Sequence, residues 1–190
     1  MLSRDLEDTV RTSANSRLPS ATTVDDTPRS KLVPVRNLPW MVSTSVSGIM
    51  VCHLENEHVV ASFDACVLGD DPRDALEYSR VRVHFEHGLW VQVQPSFSGR
   101  ETLPPNMFDE SALYPMLDRR AFREKWIATG LCPEPRVFEV EESEWLETCA
   151  PVRDDFRHYL VVGCDCWFQV LASGYYWEFD KGPLAPAVPL

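Results

Sequence analysis

The chain has 190 residues, 44% of them hydrophobic and 25% charged, and its 29 acidic and 18 basic side chains give a formal net charge of −11. This length and composition are typical of one folded soluble domain with room for flexible ends, and the apolar runs are far shorter than the ~18 residues that a membrane span requires. Nucleic acid and anionic membranes are poor partners for such an acidic chain, because binding phosphate requires a concentrated basic surface.

Both ends of the chain are predicted to be tails. Within residues 1–36, the segment 11–30 is rich in Ser and Thr and has almost no large apolar side chains, so it cannot bury enough surface to offset its ordering entropy. The Pro-rich segment 182–190 is predicted to be extended. Residues 37–181 then form a single domain. The acidic N-terminus resembles neither a secretory signal nor a transit peptide, so we expect a cytoplasmic protein with six reduced cysteines.

The first part of the domain shows strand signals. Apolar and β-branched runs at 47–54 and 58–66 flank three polar residues, a pattern that predicts a hairpin. Residues 78–86 alternate strictly between apolar and polar side chains, which indicates a half-buried strand. A turn at 87–88 is expected to lead into a partner strand at 89–93, which makes a second hairpin. The simplest arrangement is an antiparallel meander of four strands.

A helix is predicted after a Pro-rich loop. Asp109 or Ser111 can cap its first turn, and Gly130 fits the position that follows a helix C-terminus. Between them Leu117 and Trp126 belong to an apolar set at helical spacing.

The remaining predicted elements are a short strand, a short acidic helix capped by Ser143, a third hairpin and an edge strand, at residues 136–140, 144–149, 158–162 with 166–172, and 175–179. The predicted fold class is α+β: a mainly antiparallel sheet built from three hairpins, with one substantial helix packed on one face.

An acidic segment at 134–147 is the main candidate for a binding surface. It contains six Glu and one Arg, with a tryptophan in its middle. A helix dipole favours acids in a first turn and explains part of the cluster, and a solvated acidic face with the tryptophan in the core is the alternative. An aromatic side chain among carboxylates can also anchor a basic partner. The predicted partner-binding residues are Glu139, Glu141, Glu142, Glu144, Trp145 and Glu147.

A second candidate site lies on the polar face of the alternating strand, where Arg80, Arg82, His84 and Glu86 follow one another at period two. A carboxylate beside an imidazole could form a general acid/base pair, and the two arginines could clamp an anion. The alternative is a solvated strand face with cross-strand ion pairs.

Metal and catalytic motifs are weak in this sequence. Cys164 and Cys166, with His158 on the paired strand, could supply three zinc ligands, but a structural zinc site needs four. Two small residues at a hairpin turn explain the cysteines equally well. The sequence contains no nucleophile elbow, phosphate-binding glycine loop or zinc-protease motif. We therefore predict no catalytic residue, no cofactor and no metal.

These features favour a non-enzymatic module that binds a basic protein. The residues after Arg36 include 24 acidic and 12 basic side chains, a formal charge of −12, which would steer a cationic partner. An immunity protein that neutralises a basic, nuclease-like toxin is a concrete example. The alternative is a small-molecule binder or enzyme whose site is the Arg80, Arg82, His84 and Glu86 face. The sequence leaves the oligomeric state open.

Overall fold

The computed structural model describes residues 30–43, 48–54, 58–70, 76–95, 103, 107–109, 111, 118–164 and 166–180. Its strands are β1 (Ser30–Pro34), β2 (Trp40–Val42), β3 (Met50–Leu54), β4 (His58–Val67), β5 (Glu77–Glu86), β6 (Trp90–Pro95), β7 (Phe108–Asp109), β8 (Val137–Glu141), β9 (Arg157–Val162), β10 (Cys166–Ala172) and β11 (Gly174–Phe179). Its helices are α1 (Arg119–Thr129) and α2 (Glu144–Cys149).

The strands form two sheets. Sheet A has six strands in the order β6-β10-β9-β8-β1-β7. Sheet B has the order β11-β5-β4-β2, and β3 also pairs with β4. Neighbouring strands run antiparallel except β1 and β7, which are parallel. The structure thus confirms a mixed, mainly β class, but with two sheets where the sequence predicts one.

A shared apolar core joins the inner faces of the two sheets. The ring of Phe85 on β5 lies 5.6 Å from that of Tyr159 on β9 and 5.8 Å from that of Phe168 on β10. On β4 the inward residues occur at every second position, as strand geometry requires; they are Val59, Ala61, Phe63 and Ala65. The burial of these apolar side chains between sheet A and sheet B stabilises the packing of the two sheets.

The predicted hairpins have different outcomes. The first (β3 with β4) and the third (β9 with β10) are confirmed. The second is wrong, because β5 pairs with β4 and β11 while β6 pairs with β10 in sheet A. His87, with φ of 51°, and the buried Gly88 form a corner between the sheets instead of a hairpin turn. Both arrangements keep the alternating apolar face inside, so the pattern alone could not choose between them.

Strand β1 lies inside residues 1–36, the segment predicted to be an N-terminal tail; residues 1–29 and the predicted tail at 182–190 lie outside the described residues. This strand pairs with β8, and its Leu32 is buried in a second apolar cluster beside Val140. That cluster lies on the outer face of sheet A and includes Phe138, Leu160 and Val162. The local composition before β1 is polar, and only this long-range burial orders the strand.

Helix α1 begins later than predicted, because neither Asp109 nor Ser111 is its N-cap. Its N-cap is Asp118, whose carboxylate accepts hydrogen bonds from two backbone N–H groups, while Asp109 lies on β7. Gly130 ends the helix in the left-handed conformation, as predicted. Leu117 lies outside the described residues. The structure therefore does not confirm the predicted packing of a substantial helix on the sheet. Trp126 of α1 does form an apolar cluster with Cys66 and Cys132.

Within the part of the chain that the structure describes, neither helix combines the length and the apolar character that crossing a bilayer demands.

The corner at Gly88 yields a first prediction. A Cβ atom at this position would lie 2.7 Å from Cγ2 of Val59, so the Gly88→Ala substitution overpacks the core and should lower the free energy of unfolding by about 1–3 kcal/mol. Gly48→Ala is the matched control, since a Cβ atom there would meet no atom of the described residues within 4 Å. Urea unfolding followed by tryptophan fluorescence measures both variants. Equal stability of the two variants would contradict this account of the corner.

Candidate functional site

The acidic segment turns from a strand into a helix. β8 ends at Glu141, and Glu142 adopts a φ of 56° that redirects the chain. The side chain of Ser143 then caps α2 by accepting a hydrogen bond from the backbone N–H of Leu146 at 3.0 Å. Glu144 and the acid one turn later are in the first turn, where the positive end of the helix dipole favours carboxylates. The predicted short acidic helix and its cap are confirmed.

Sheet A separates the predicted partner-binding residues into two groups. Glu139 and Glu141 are at alternate positions of β8, on the side of Val137, which belongs to the core between the sheets. Glu139 lies 3.4 Å from Arg157, and Glu141 lies 3.5 Å from the Lys31 ammonium. The second group lies on α2 or immediately before it, and α2 packs on the opposite face of the sheet through its tryptophan. We call it the acidic helix surface; it comprises Glu142, Glu144, Trp145 and Glu147.

Trp145 is half-buried, and its ring packs edge-on against that of His158, with 5.0 Å between the centroids. His158 is on β9 at the same parity as Leu160 and Val162, so this contact lies on the outer face of sheet A. Phe108 approaches the same imidazole at 6.2 Å. The tryptophan is therefore neither fully in the core nor free in solvent.

A buried chain of polar side chains supports this contact. Nδ1 of His158 lies 2.7 Å from the Ser143 hydroxyl, and Nε2 lies 3.0 Å from the carbonyl oxygen of Gln169. The Gln169 amide in turn donates to the carbonyl oxygen of Gln92 at 2.6 Å. A carbonyl oxygen only accepts, so Nε2 carries the imidazole proton and Nδ1 accepts from the hydroxyl. We call this set the histidine network.

The histidine network has a structural role in this geometry. A serine beside a histidine resembles an activated nucleophile, but the Ser143 oxygen already accepts the capping hydrogen bond of α2, and both residues are buried. Burial lowers the pKa of His158 to about 4, and the hydrogen bond that Nε2–H donates to Gln169 only partly opposes this effect. The imidazole is neutral at pH 7, and both of its nitrogens are engaged in hydrogen bonds with buried side chains.

The candidate zinc ligands are not brought together. Cys166 is at the same parity as Phe168 on β10, which faces the core between the sheets, whereas His158 is on the outer face of sheet A. Among the described residues no group of three or more His, Cys, Asp or Glu has the placement to hold a metal ion.

Two thiols are buried elsewhere, where burial raises the pKa of Cys66 and raises that of Cys132 to about 12. A thiol with so high a pKa is not a nucleophile at neutral pH.

The second predicted site, on the polar face of β5, already contains ion pairs with carboxylates of this chain. Arg80 donates twice to the buried carboxylate of Asp64 on β4, at 3.0 and 3.1 Å. Arg82 donates to Asp180 at 2.7 Å. His84 stacks on Tyr176 with 4.5 Å between the ring centroids and 4° between the planes. An incoming anion would have to compete with carboxylates that the protein itself provides.

Sequence reasoning missed the positive charge on α1. The helix carries Arg119, Arg120, Arg123 and Lys125 against a single acid, Glu124. The three arginines line a cleft of about 890 Å³ together with apolar side chains from both sheet B and α1. The signal was present in the sequence as a cluster of basic residues, but the net charge of the whole chain concealed it.

Comparison with models of protein families, with curated protein sequences and with solved structures finds no match to this chain.

The histidine network predicts acid sensitivity. Since the pKa of His158 is about 4 in the folded protein and near 6.5 in the unfolded chain, only the unfolded chain takes up a proton between these values. Stability should therefore fall as the pH drops from 6.5 to 4, by a total of about 3 kcal/mol from this group. The His158→Gln variant lacks this proton uptake.

Urea unfolding at pH 7, 6, 5 and 4 tests this prediction. For each protein, the free energy of unfolding at pH 4 is subtracted from its own value at pH 7. This difference should be smaller in His158→Gln than in the wild type. Parallel curves for the two proteins would show that His158 is not the group responsible.

Proposed function

We propose that this chain is a non-enzymatic protein-binding domain that engages a basic protein through the acidic helix surface. The observation that carries the proposal is a half-buried tryptophan on a short, capped helix that also bears two exposed glutamates, with a third exposed glutamate immediately before the cap. Glu142, Glu144 and Glu147 are exposed, and Trp145 lies between them in sequence and packs against sheet A.

The electrostatics of this region favour a cationic partner. Glu142, Glu144 and Glu147 are all exposed, so their carboxylates can meet an arriving lysine or arginine without any rearrangement of the core. The formal charge of −11 adds a long-range attraction that accelerates encounter.

The aromatic anchor is already positioned. Trp145 is oriented by its contact with His158, whose nitrogens are both hydrogen-bonded to buried side chains. A side chain held in its bound orientation loses less entropy on association. Tryptophan is also enriched among the hot spots of protein interfaces.

The surface has a boundary on the far side of α2. A hollow of about 320 Å³ begins at Glu147 and is lined also by Leu146, Phe156 and Arg153. The guanidinium of Arg153 lies 4.1 Å above the Phe156 ring and bonds to Asp155. Because Asp154 and Arg157 also line it, the hollow is of mixed charge, and the excess of acid does not extend into it.

The partner class that fits best is a basic protein with a nucleic-acid-binding cleft, so the proposal includes an immunity-type inhibitor of a nuclease-like toxin. A cleft that binds phosphates presents clustered lysine and arginine, the complement of the acidic helix surface. The proposed setting is the cytoplasm: all six cysteines are in the described part of the chain, and none forms a disulfide.

Affinity capture from native host extract at low salt, followed by surface plasmon resonance with the purified partner, tests the proposal. The triple variant Glu142→Gln, Glu144→Gln and Glu147→Gln should associate about tenfold more slowly with that partner, because charges close to the contact govern electrostatic steering. The association rate of the wild type should also fall as the salt concentration rises.

A matched triple variant separates local from overall charge. Asp70→Asn, Glu77→Gln and Glu124→Gln remove the same charge from exposed residues outside the acidic helix surface, and this variant should bind almost as fast as the wild type. Capture of an uncharged partner, an affinity indifferent to salt, or equal slowing by both triple variants would each refute the proposal.

A further inference from the structure

We propose that the cleft beside α1 binds a small amphipathic anion, a molecule with an apolar body and a carboxylate, sulfonate or phosphate head. We call it the arginine cleft; its described lining is Met41, Leu76, Tyr78, Arg119, Arg120, Phe122, Arg123 and Trp126. This site goes beyond the proposed function. Trp126 clusters with Cys66 on sheet B, whereas the acidic helix surface lies on sheet A.

The wall of the arginine cleft is apolar. Met41 from β2 and Leu76, immediately before β5, form one side, and Phe122 and Trp126 from α1 form the other. The two helix rings pack edge-on at 5.6 Å, which fixes the shape of that side. A volume of about 890 Å³ is within the range of small-molecule sites.

The mouth of the arginine cleft is basic. Arg119, Arg120 and Arg123 occupy one flank of α1, within its first five residues. Arg120 donates to Glu124 at 2.7 Å, but the two side chains are 88% and 63% exposed, so this pair is readily exchanged for a ligand anion. Guanidinium groups bind carboxylate, sulfonate and phosphate oxygens through paired N–H donors.

A buried donor lies at the same place. Trp126 is fully buried, and its indole N–H has no hydrogen-bond acceptor among the residues that the structure describes. An unsatisfied buried N–H raises the free energy of the folded state. The proposed ligand class rests on the other two features, because an apolar wall and a cationic mouth together define an amphipathic anion.

A free ligand in solution fits better than a membrane lipid. The chain carries a net charge of −11, so an anionic bilayer repels the protein as a whole. A single small anion experiences mainly the nearby arginines, because charges beyond about 10 Å are screened at physiological salt.

Isothermal titration calorimetry of the full chain with dodecanoate, below its micelle concentration, is the test. We expect saturable one-to-one binding with a Kd of about 1 mM or tighter. Dodecyltrimethylammonium, which has the same tail and the opposite charge, should bind at least about tenfold more weakly. The double variant Arg119→Gln and Arg120→Gln should weaken dodecanoate binding about tenfold through the lost charged hydrogen bonds.

Lys125→Gln is the matched control on the same helix, since Lys125 lines a different hollow with Thr129 and Pro133. It should change the dodecanoate Kd by less than about twofold, because its charge is screened by solvent. The three substituted positions are exposed, so thermal unfolding can verify that each variant is folded.

Three results would overturn the proposal. The first is an absence of dodecanoate binding to the folded wild type, and the second is equal weakening by the double variant and by Lys125→Gln. The third is binding to phosphatidylglycerol vesicles without binding of free dodecanoate, which would assign the surface to a membrane. None of these results depends on a protein partner, so failure here leaves the proposed function unaffected.

Discussion

Burial of Phe85 between the two sheets is the interaction on which the architecture depends. Its ring is inaccessible to solvent and contacts aromatic rings from three other strands, those of Tyr159, Phe168 and Tyr175. The chain crosses from sheet B to sheet A after β5, one residue beyond Phe85, and returns to sheet B after β10. The two corners are joined by backbone hydrogen bonds, from the Leu89 N–H to the Leu171 carbonyl and from the Ser173 N–H to the Glu86 carbonyl. The aromatic core and the two corners thus favour the same strand pairing, in which β6 pairs with β10 and not with β5.

The outer face of sheet A is stabilised differently, through polar groups that satisfy one another. Leaving a buried imidazole or amide without a partner is costly, but in the histidine network each hydrogen bond leads to the next side chain. Ser143 serves both this network and the cap of α2. The position of Trp145 and of the neighbouring glutamates is therefore coupled to a buried imidazole. This coupling is how a surface helix of only six residues can present its side chains in a fixed arrangement.

Net charge is a poor description of this surface, because its charges are sorted by region. Acids collect around α2, while α1 has four basic residues and one acid. Between these extremes, the row on β5 is neutralised by carboxylates of the same sheet, as in the pair of Arg80 with Asp64. The proposed basic partner and the proposed small anion would therefore meet different surfaces of one acidic chain. The excess of acid governs long-range approach, and the local arrangement governs what is held after contact.

Features encoded within a few residues were predictable from the sequence, and features that depend on distant partners were not. Gly130 and Ser143 mark helix ends by local chemistry, and both predictions are confirmed. Strict alternation identified the face that β5 buries, yet β6 could pair with β5 or with β10 and still bury its apolar face. The histidine network illustrates the limit most clearly. His158 is separated from Ser143 by fifteen residues and from Gln169 by eleven, and no spacing rule connects a helix cap to an amide on the next strand. Only the register of β9 with β10 places Gln169 within reach of the imidazole. A polar network of this kind is therefore a consequence of the tertiary fold: the sequence predicted the acidic helix and its cap, but not the buried contacts that orient Trp145.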